Sequence, residues 1–167
     1  MPAKQTFLET LDKEHATTMK VLRALPKDKA DVRPHPRLKT PKEQAWVFVL
    51  ERGLGKAVWA DAFKSGPPQA GRTPPPPPEK WDDLLAAVES ANKEWRDLIS
   101  STSDQQLQEK VHFMIGPKQF GEISRIDWPW FLLHDEIHHR GQFSVLLRMC
   151  DAKVPSVYGP SEAEPWL

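Results

Sequence analysis

The amino-acid sequence predicts an all-α domain, an up-down four-helix bundle with a short hairpin or an irregular crossover before the last helix. Three observations carry this prediction. Four stretches repeat apolar residues at three- and four-residue spacing, the period of an amphipathic helix. Helix-start signals precede several of these stretches, and proline-rich segments separate them. Outside residues 103–124 no stretch offers a strand pattern, and four long amphipathic helices must bury their stripes against one another. Residues 1–167 therefore read as one domain, with helices near 6–25, 40–63, 80–101 and 128–150 and an extended tail over 151–167.

The first helix opens on Thr6 and Glu9, a capping box, and continues through Leu8, Leu11, His15, Thr18, Leu22 and Leu25. Pro26 ends it, and Pro34 and Pro36 push the residues before them out of helical dihedrals, so the connection is extended. Thr40-Pro41-Lys42-Glu43 supplies a cap, an N1 proline and an N3 acid for the second helix. Its stripe is Val47, Leu50, Leu54 and Val58, weakened at Gly53 and Gly55. Residues 65–78 form a loop with a proline run from Pro74 to Pro78, which reads as a stiff spacer or as a docking motif for an SH3-type groove. The third helix carries Trp81, Leu84, Val88, Ala91, Trp95 and Leu98 on one side. Lys110 to Ile115 followed by Gly116-Pro117 fits a hairpin or a crossover equally, and Asp127 caps the last helix with Pro129 in its first turn.

Composition excludes several function classes. The formal net charge is zero with no basic block, which removes the clustered Lys and Arg that nucleic-acid binding requires. No apolar run approaches the roughly 20 residues of a membrane span, and the charged N-terminus lacks the apolar stretch of a signal peptide. A single cysteine, Cys150, forbids an internal disulfide and fits a reducing compartment. The expected location is the cytoplasm.

The last helix carries the chemistry. At about 100° per residue, the direction of Asp135 is shared by Trp128, Phe131, Leu132, His139, Gln142, Leu146 and Met149, an apolar face expected to meet the other helices. Asp135 and His139 are then an i, i+4 pair whose side chains converge on one point, as helix-borne metal ligands do. The same two residues can equally form a partly buried ion pair without a metal. His134 and His138 make a second such pair, rotated toward the edge of the face. Leu133, Ile137 and Leu147 lie opposite, so the helix is apolar nearly all round, and a homodimer interface would cover the second side.

The string His139-Arg140-Gly141-Gln142 resembles the HRGQ signature of the DinB/YfiT-like family. Leu146-Leu147-Arg148, the segment from Val154 to Ser161, the helix start Thr40-Pro41-Lys42-Glu43 and the late histidine helix resemble it as well, so the likeness spans nearly the whole chain. The resemblance implies a four-helix bundle, commonly a homodimer, with Zn or Ni on three histidines. It also implies, for some members, thiol S-transfer with bacillithiol or mycothiol, and for others a damage-inducible or stress-related role. His139 matches the ligand before Arg-Gly-Gln. Asp135 stands where the family has a histidine four residues earlier, and Val47 occupies the position of the helix-two histidine.

Two residues can complete such a site. Glu51 lies one turn beyond Val47, and His15 lies on the inward seam of the first helix. Each also has a plainer reading, Glu51 as a solvated acid and His15 as a hydrogen-bonded core histidine. A set drawn from Asp135, His139, Glu51 and His15 is harder than three histidines and shifts preference toward Mn or Fe. His138 and Glu51 are the candidate proton carriers. The expected function is a metal-dependent enzyme acting on a small molecule, a thiol S-transferase or hydrolase-like protein. The alternative is a non-catalytic dimeric bundle, a stress or ligand-binding protein that has lost the metal.

Overall fold

Thr40 and Glu43 form the capping box that their sequence announces. The Thr40 hydroxyl accepts from the Glu43 amide at 3.1 Å, and the Glu43 carboxylate accepts from the Thr40 amide at 2.8 Å. In the computed structural model, which describes residues 3–69, 71 and 73–167, this box opens α2 (Pro41–Trp59). The other long helices are α1 (Ala3–Arg23), α3 (Trp81–Ser101) and α5 (Asp127–Met149), with a short α4 (Asp104–Leu107) after α3. Between α4 and α5, β1 (Lys110–Gly116) pairs antiparallel with β2 (Gln119–Ser124). The segment left open between hairpin and crossover is thus a hairpin, and the fold is not purely all-α.

Two expected helix starts move. α1 begins at Ala3, ahead of the Thr6–Glu9 box, and the Thr6 carbonyl accepts from the Thr10 hydroxyl inside the helix. Tertiary contacts win over the local capping signal there. Lys4 donates to the Thr102 carbonyl at 2.8 Å, and Phe7 and Leu8 are buried. Asp127 is the first residue of α5 instead of its cap, and accepts from the Ser124 hydroxyl. α2 stops at Trp59, before the expected Phe63, because Asp61 turns into the left-handed region at φ 53°.

Two apolar clusters show how the helices run. One joins Met19 and Leu22 near the end of α1 to Ala45 and Phe48 of α2, Trp81 and Leu84 of α3, and Phe143 and Leu147 late in α5. The other joins Phe7 and Leu11 at the start of α1 to Val58, Trp95, Ile99, Trp128 and Leu132. α1 and α5 therefore run one way and α2 and α3 the other, an up-down-down-up order where simple alternation was expected. α1 packs on α3 and α5, and α2 packs on the same two helices, so α1 and α2 face each other across a diagonal.

Such an order needs a link that returns along the bundle between α2 and α3. Residues 60–80 provide it. The helix they pass is about 28 Å long at 1.5 Å per residue. A polyproline stretch covers about 3 Å per residue, so Pro74 to Pro78 span roughly half of that distance without internal hydrogen bonds. The Trp46 indole donates to the Pro75 carbonyl at 2.7 Å and Lys42 donates to the Glu79 carbonyl at 2.8 Å, holding the link against the start of α2. Ala70 and Arg72 of this link lie outside the described residues.

The hairpin closes the other end. Asp61 accepts from both the amide and the ring Nδ1 of His112 at 2.9 Å, and Phe113 packs edge-on against Trp128 with centroids 5.0 Å apart. Cys150 is buried against the α1–α5 core, and burial pushes its thiol above the usual range, so it is a packing residue and not a nucleophile. Among the described residues, no helix is long and apolar enough to cross a membrane.

Candidate metal centre

The buried stripe of α2 is Gln44, Phe48, Glu51, Gly55 and Val58, flanked by Ala45, Arg52 and Trp59. It is rotated from the expected stripe, since Val47, Leu50 and Leu54 are only half-buried. Glu51 is thereby carried into the interface with α5 at 7% exposure, where the reading as a solvated acid is corrected. On α5 the buried positions are Leu133, Glu136, Arg140, Phe143 and Leu147, at alternating three- and four-residue steps, together with Trp128, Leu132 and Leu146. The face expected to point inward is rotated outward by about one residue. Phe131 and Met149 are exposed, and Leu133 and Leu147, assigned to a dimer face, are core.

Asp135 and His139 therefore sit at the margin of the α2–α5 seam, where they meet Glu51. His139 Nε2 lies 3.2 Å from Glu51 Oε1 and 3.7 Å from Asp135 Oδ1. One donor atom from each of Glu51, Asp135 and His139 lies within 4.8 Å of the other two. The structure brings these three predicted residues together. His15 does not join them: it is half-buried beside Glu136 and Arg52, and burial lowers its pKa below the ordinary 6.5. His138, immediately before His139 on α5, is exposed.

A glutamine pair that the sequence reading gave no role orients the imidazole. His139 Nδ1 lies 3.1 Å from both Gln142 Oε1 and Gln44 Nε2, and Gln44 Nε2 donates to Gln142 Oε1 at 3.0 Å. Gln142 Nε2 in turn donates to His138 Nε2 at 2.8 Å. Nδ1 is thus engaged by the two amides, which leaves Nε2 as the ring nitrogen facing Glu51 and Asp135. A ring with Nδ1 held by an outer hydrogen bond and Nε2 turned to carboxyl groups is oriented as a metal-ligating histidine is. The signal for Gln142 was present in the sequence: it lies three residues after His139, in side-chain reach on one helix face.

The electrostatics lean the same way. Burial, and then the adjacent Asp135 charge, push the Glu51 carboxyl up to about 9. Arg52 opposes this shift without cancelling it. Two carboxyl groups and an imidazole thus converge with too little positive charge between them to keep Glu51 ionised, and among the described residues both buried oxygens of Glu51 lack a hydrogen-bond partner. The residues fit a divalent cation, which would supply both the charge and the missing partner. Asp135, with its side chain 40% exposed, keeps one side of the cluster open to solvent.

Comparison with known proteins places the fold. The YrdA protein of Bacillus subtilis, itself uncharacterised, is 32% identical over 79 residues, a match covering 47% of this chain and 40% of that protein. A DinB-like protein from Bacillus cereus superposes with a TM-score of 0.74 at 22% identity, covering 92% of this chain and 97% of its own. YfiT from Bacillus subtilis, described as a probable metal-dependent hydrolase with an unusual four-helix bundle topology, superposes with a TM-score of 0.61 at 14% identity, covering 87% of this chain and 86% of that one. At those identities the two structures share the fold with this chain. The family model of the DinB superfamily matches residues 10–143, most of the bundle, and the chain belongs to that superfamily.

Proposed function

We propose that this protein is a metal-dependent enzyme of the hydrolase kind, acting on a small molecule, with Glu51, Asp135 and His139 holding a divalent ion. The observation that carries the reading is the buried Glu51 carboxyl, which has no hydrogen-bond partner among the described residues and lies 3.2 Å from Nε2 of His139. A family relative described as a probable metal-dependent hydrolase supports it. Two oxygen donors and one nitrogen make a harder site than three histidines and shift its preference toward Mn or Fe. The same hardness favours water over a thiol as the nucleophile, so hydrolysis is preferred to thiol S-transfer. A divalent ion in this place would act as a Lewis acid and make a nucleophile available near neutral pH.

The chain's own groups do the rest. Gln44 and Gln142 fix the His139 ring, and Asp135 holds the solvent side of the cluster. Glu51 stores a proton when the ion is absent and gives it up when the ion is present. Gln142 links His139 to His138, which stands at the surface where it can exchange a proton with solvent. A homodimer, which the family resemblance implies, would show in sedimentation or light scattering as twice the 19.1 kDa chain mass.

Thermal shift with Mn, Fe(II), Zn and Ni tests the metal reading. The wild-type Tm should rise with at least one of these ions, and Glu51→Ala should lose the response. A wild-type Tm that none of these ions moves would instead favour the non-catalytic bundle. Metal-loaded protein should hydrolyse members of an ester and amide panel. Turnover seen only with an added thiol and an electrophile would move the reading to S-transfer.

A further inference from the structure

Each residue of the candidate centre is followed in sequence by a buried member of a second charge cluster: Glu51 by Arg52, Asp135 by Glu136, and His139 by Arg140. Arg52 pairs with Glu136 between α2 and α5. The other Glu136 oxygen accepts from the Thr18 hydroxyl at 2.7 Å, and Arg140 Nη1 donates to that hydroxyl at 3.3 Å. Arg140 also donates to the Glu14 carbonyl at 3.1 Å and pairs with the Glu14 carboxylate at 2.7 Å. Arg52 reaches Asn92 of α3 at 3.3 Å. The cluster holds two guanidinium groups against two carboxylates and ties all four long helices together.

Consecutive helical residues project about 100° apart and 1.5 Å along the axis. A helix whose Arg52, or whose Glu136 and Arg140, is fixed at the bundle centre therefore has its preceding residue fixed on the neighbouring face. The Arg52–Glu136 pair sets the rotation of α2 against α5, and with it the approach of Glu51 to Asp135. The Arg140 contacts to α1 set the rotation of α5 one turn further on, and with it the direction of His139. An apolar core of similar volume is often as stable as a buried ion pair or more so, so stability alone does not account for four charges here. Fixing a unique helix rotation does.

We propose that Arg52, Glu136 and Arg140 are positioning residues for the metal centre, and that this buried cluster, through the one-residue offset, aims Glu51, Asp135 and His139 at a common point. The inference rests on the metal reading above and adds which residues outside the ligand set decide the affinity. It also gives the arginine of the HRGQ string a role that touches neither metal nor substrate.

Calorimetric titration of the chelator-treated protein with Mn or Zn tests it, alongside the apo Tm of each variant. Glu136→Gln should weaken metal binding about 10–100-fold, the effect typical of groups that hold ligands. The double variant Arg52→Met/Glu136→Leu replaces the pair by apolar groups, so it keeps the core filled if the single variant does not fold. It should retain an apo Tm near that of wild type and still bind metal at least tenfold more weakly. Wild-type affinity in a folded double variant would overturn the proposal while leaving the metal reading intact. Absence of binding by the wild-type protein would overturn both.

Discussion

Glu51 and His139, on helices that run in opposite directions, meet with Oε1 and Nε2 3.2 Å apart, and no donor satisfies either Glu51 oxygen among the described residues. The contact joins an unusually proton-hungry carboxyl to an imidazole nitrogen. Without a cation the Glu51 carboxyl keeps its proton far above the normal range, and with one it has a partner.

Glu51 makes the stability of the metal-free protein depend on pH. Its carboxyl rises from 4.5 in the open chain to about 9 in the fold, so its contribution is full below about 4.5 and is lost as pH climbs toward about 9. In the presence of a chelator the wild-type Tm should fall between pH 5 and pH 9. Glu51→Gln, which cannot ionise, should lack that part of the fall and be the more stable of the two at pH 9. Parallel Tm profiles for the two proteins would show that Glu51 is ionised throughout.

His15 gives a slope of the other sense on the acid side. Burial lowers its pKa below the unfolded 6.5, so the neutral ring is favoured in the fold, and stability present above 6.5 is lost as pH falls through the folded value. His15→Gln should reduce the difference in urea midpoint between pH 7.5 and pH 5. An unchanged difference would mean that the ring is protonated equally in both states.

Two glycines within about one turn of Glu51 should respond oppositely to alanine. A Cβ on Gly53 meets nothing within 4 Å, and Gly53→Ala should stabilise by about 0.5–1 kcal/mol through helix propensity. A Cβ on Gly55 falls 2.7 Å from Leu132 Cδ1 and 3.4 Å from the Trp95 ring, so Gly55→Ala should cost about 1–3 kcal/mol. Urea unfolding of the two variants measures both, and equal signs would contradict the close α2–α5 approach.

The helices and the Asp135–His139 pair were legible because local rules govern them: a capping box at Thr40, three-four spacing, and an i, i+4 pair. The face of α5 was not, for a specific reason. Glu136 and Arg140 occupy core positions in the series Leu133, Glu136, Arg140, Phe143, Leu147, and charged residues read as surface until their partners are known. Those partners, Arg52, Thr18 and Glu14, lie on other helices, beyond any local pattern. The same holds for Glu51, whose burial depends on the rotation of α2. The return of the chain through residues 60–80 had one overlooked sign, a link longer than the usual connection between neighbouring helices.

The metal content of tag-free protein purified without chelators tests the central claim most directly. After exposure to Mn, Fe(II), Zn or Ni and removal of excess, elemental analysis should find about one divalent ion per wild-type chain. The ion should be lost from Glu51→Gln and from His139→Ala that remain folded. A wild-type chain that retains no ion after loading, or equal retention by the wild-type and Glu51→Gln proteins, would contradict a metal centre on Glu51, Asp135 and His139.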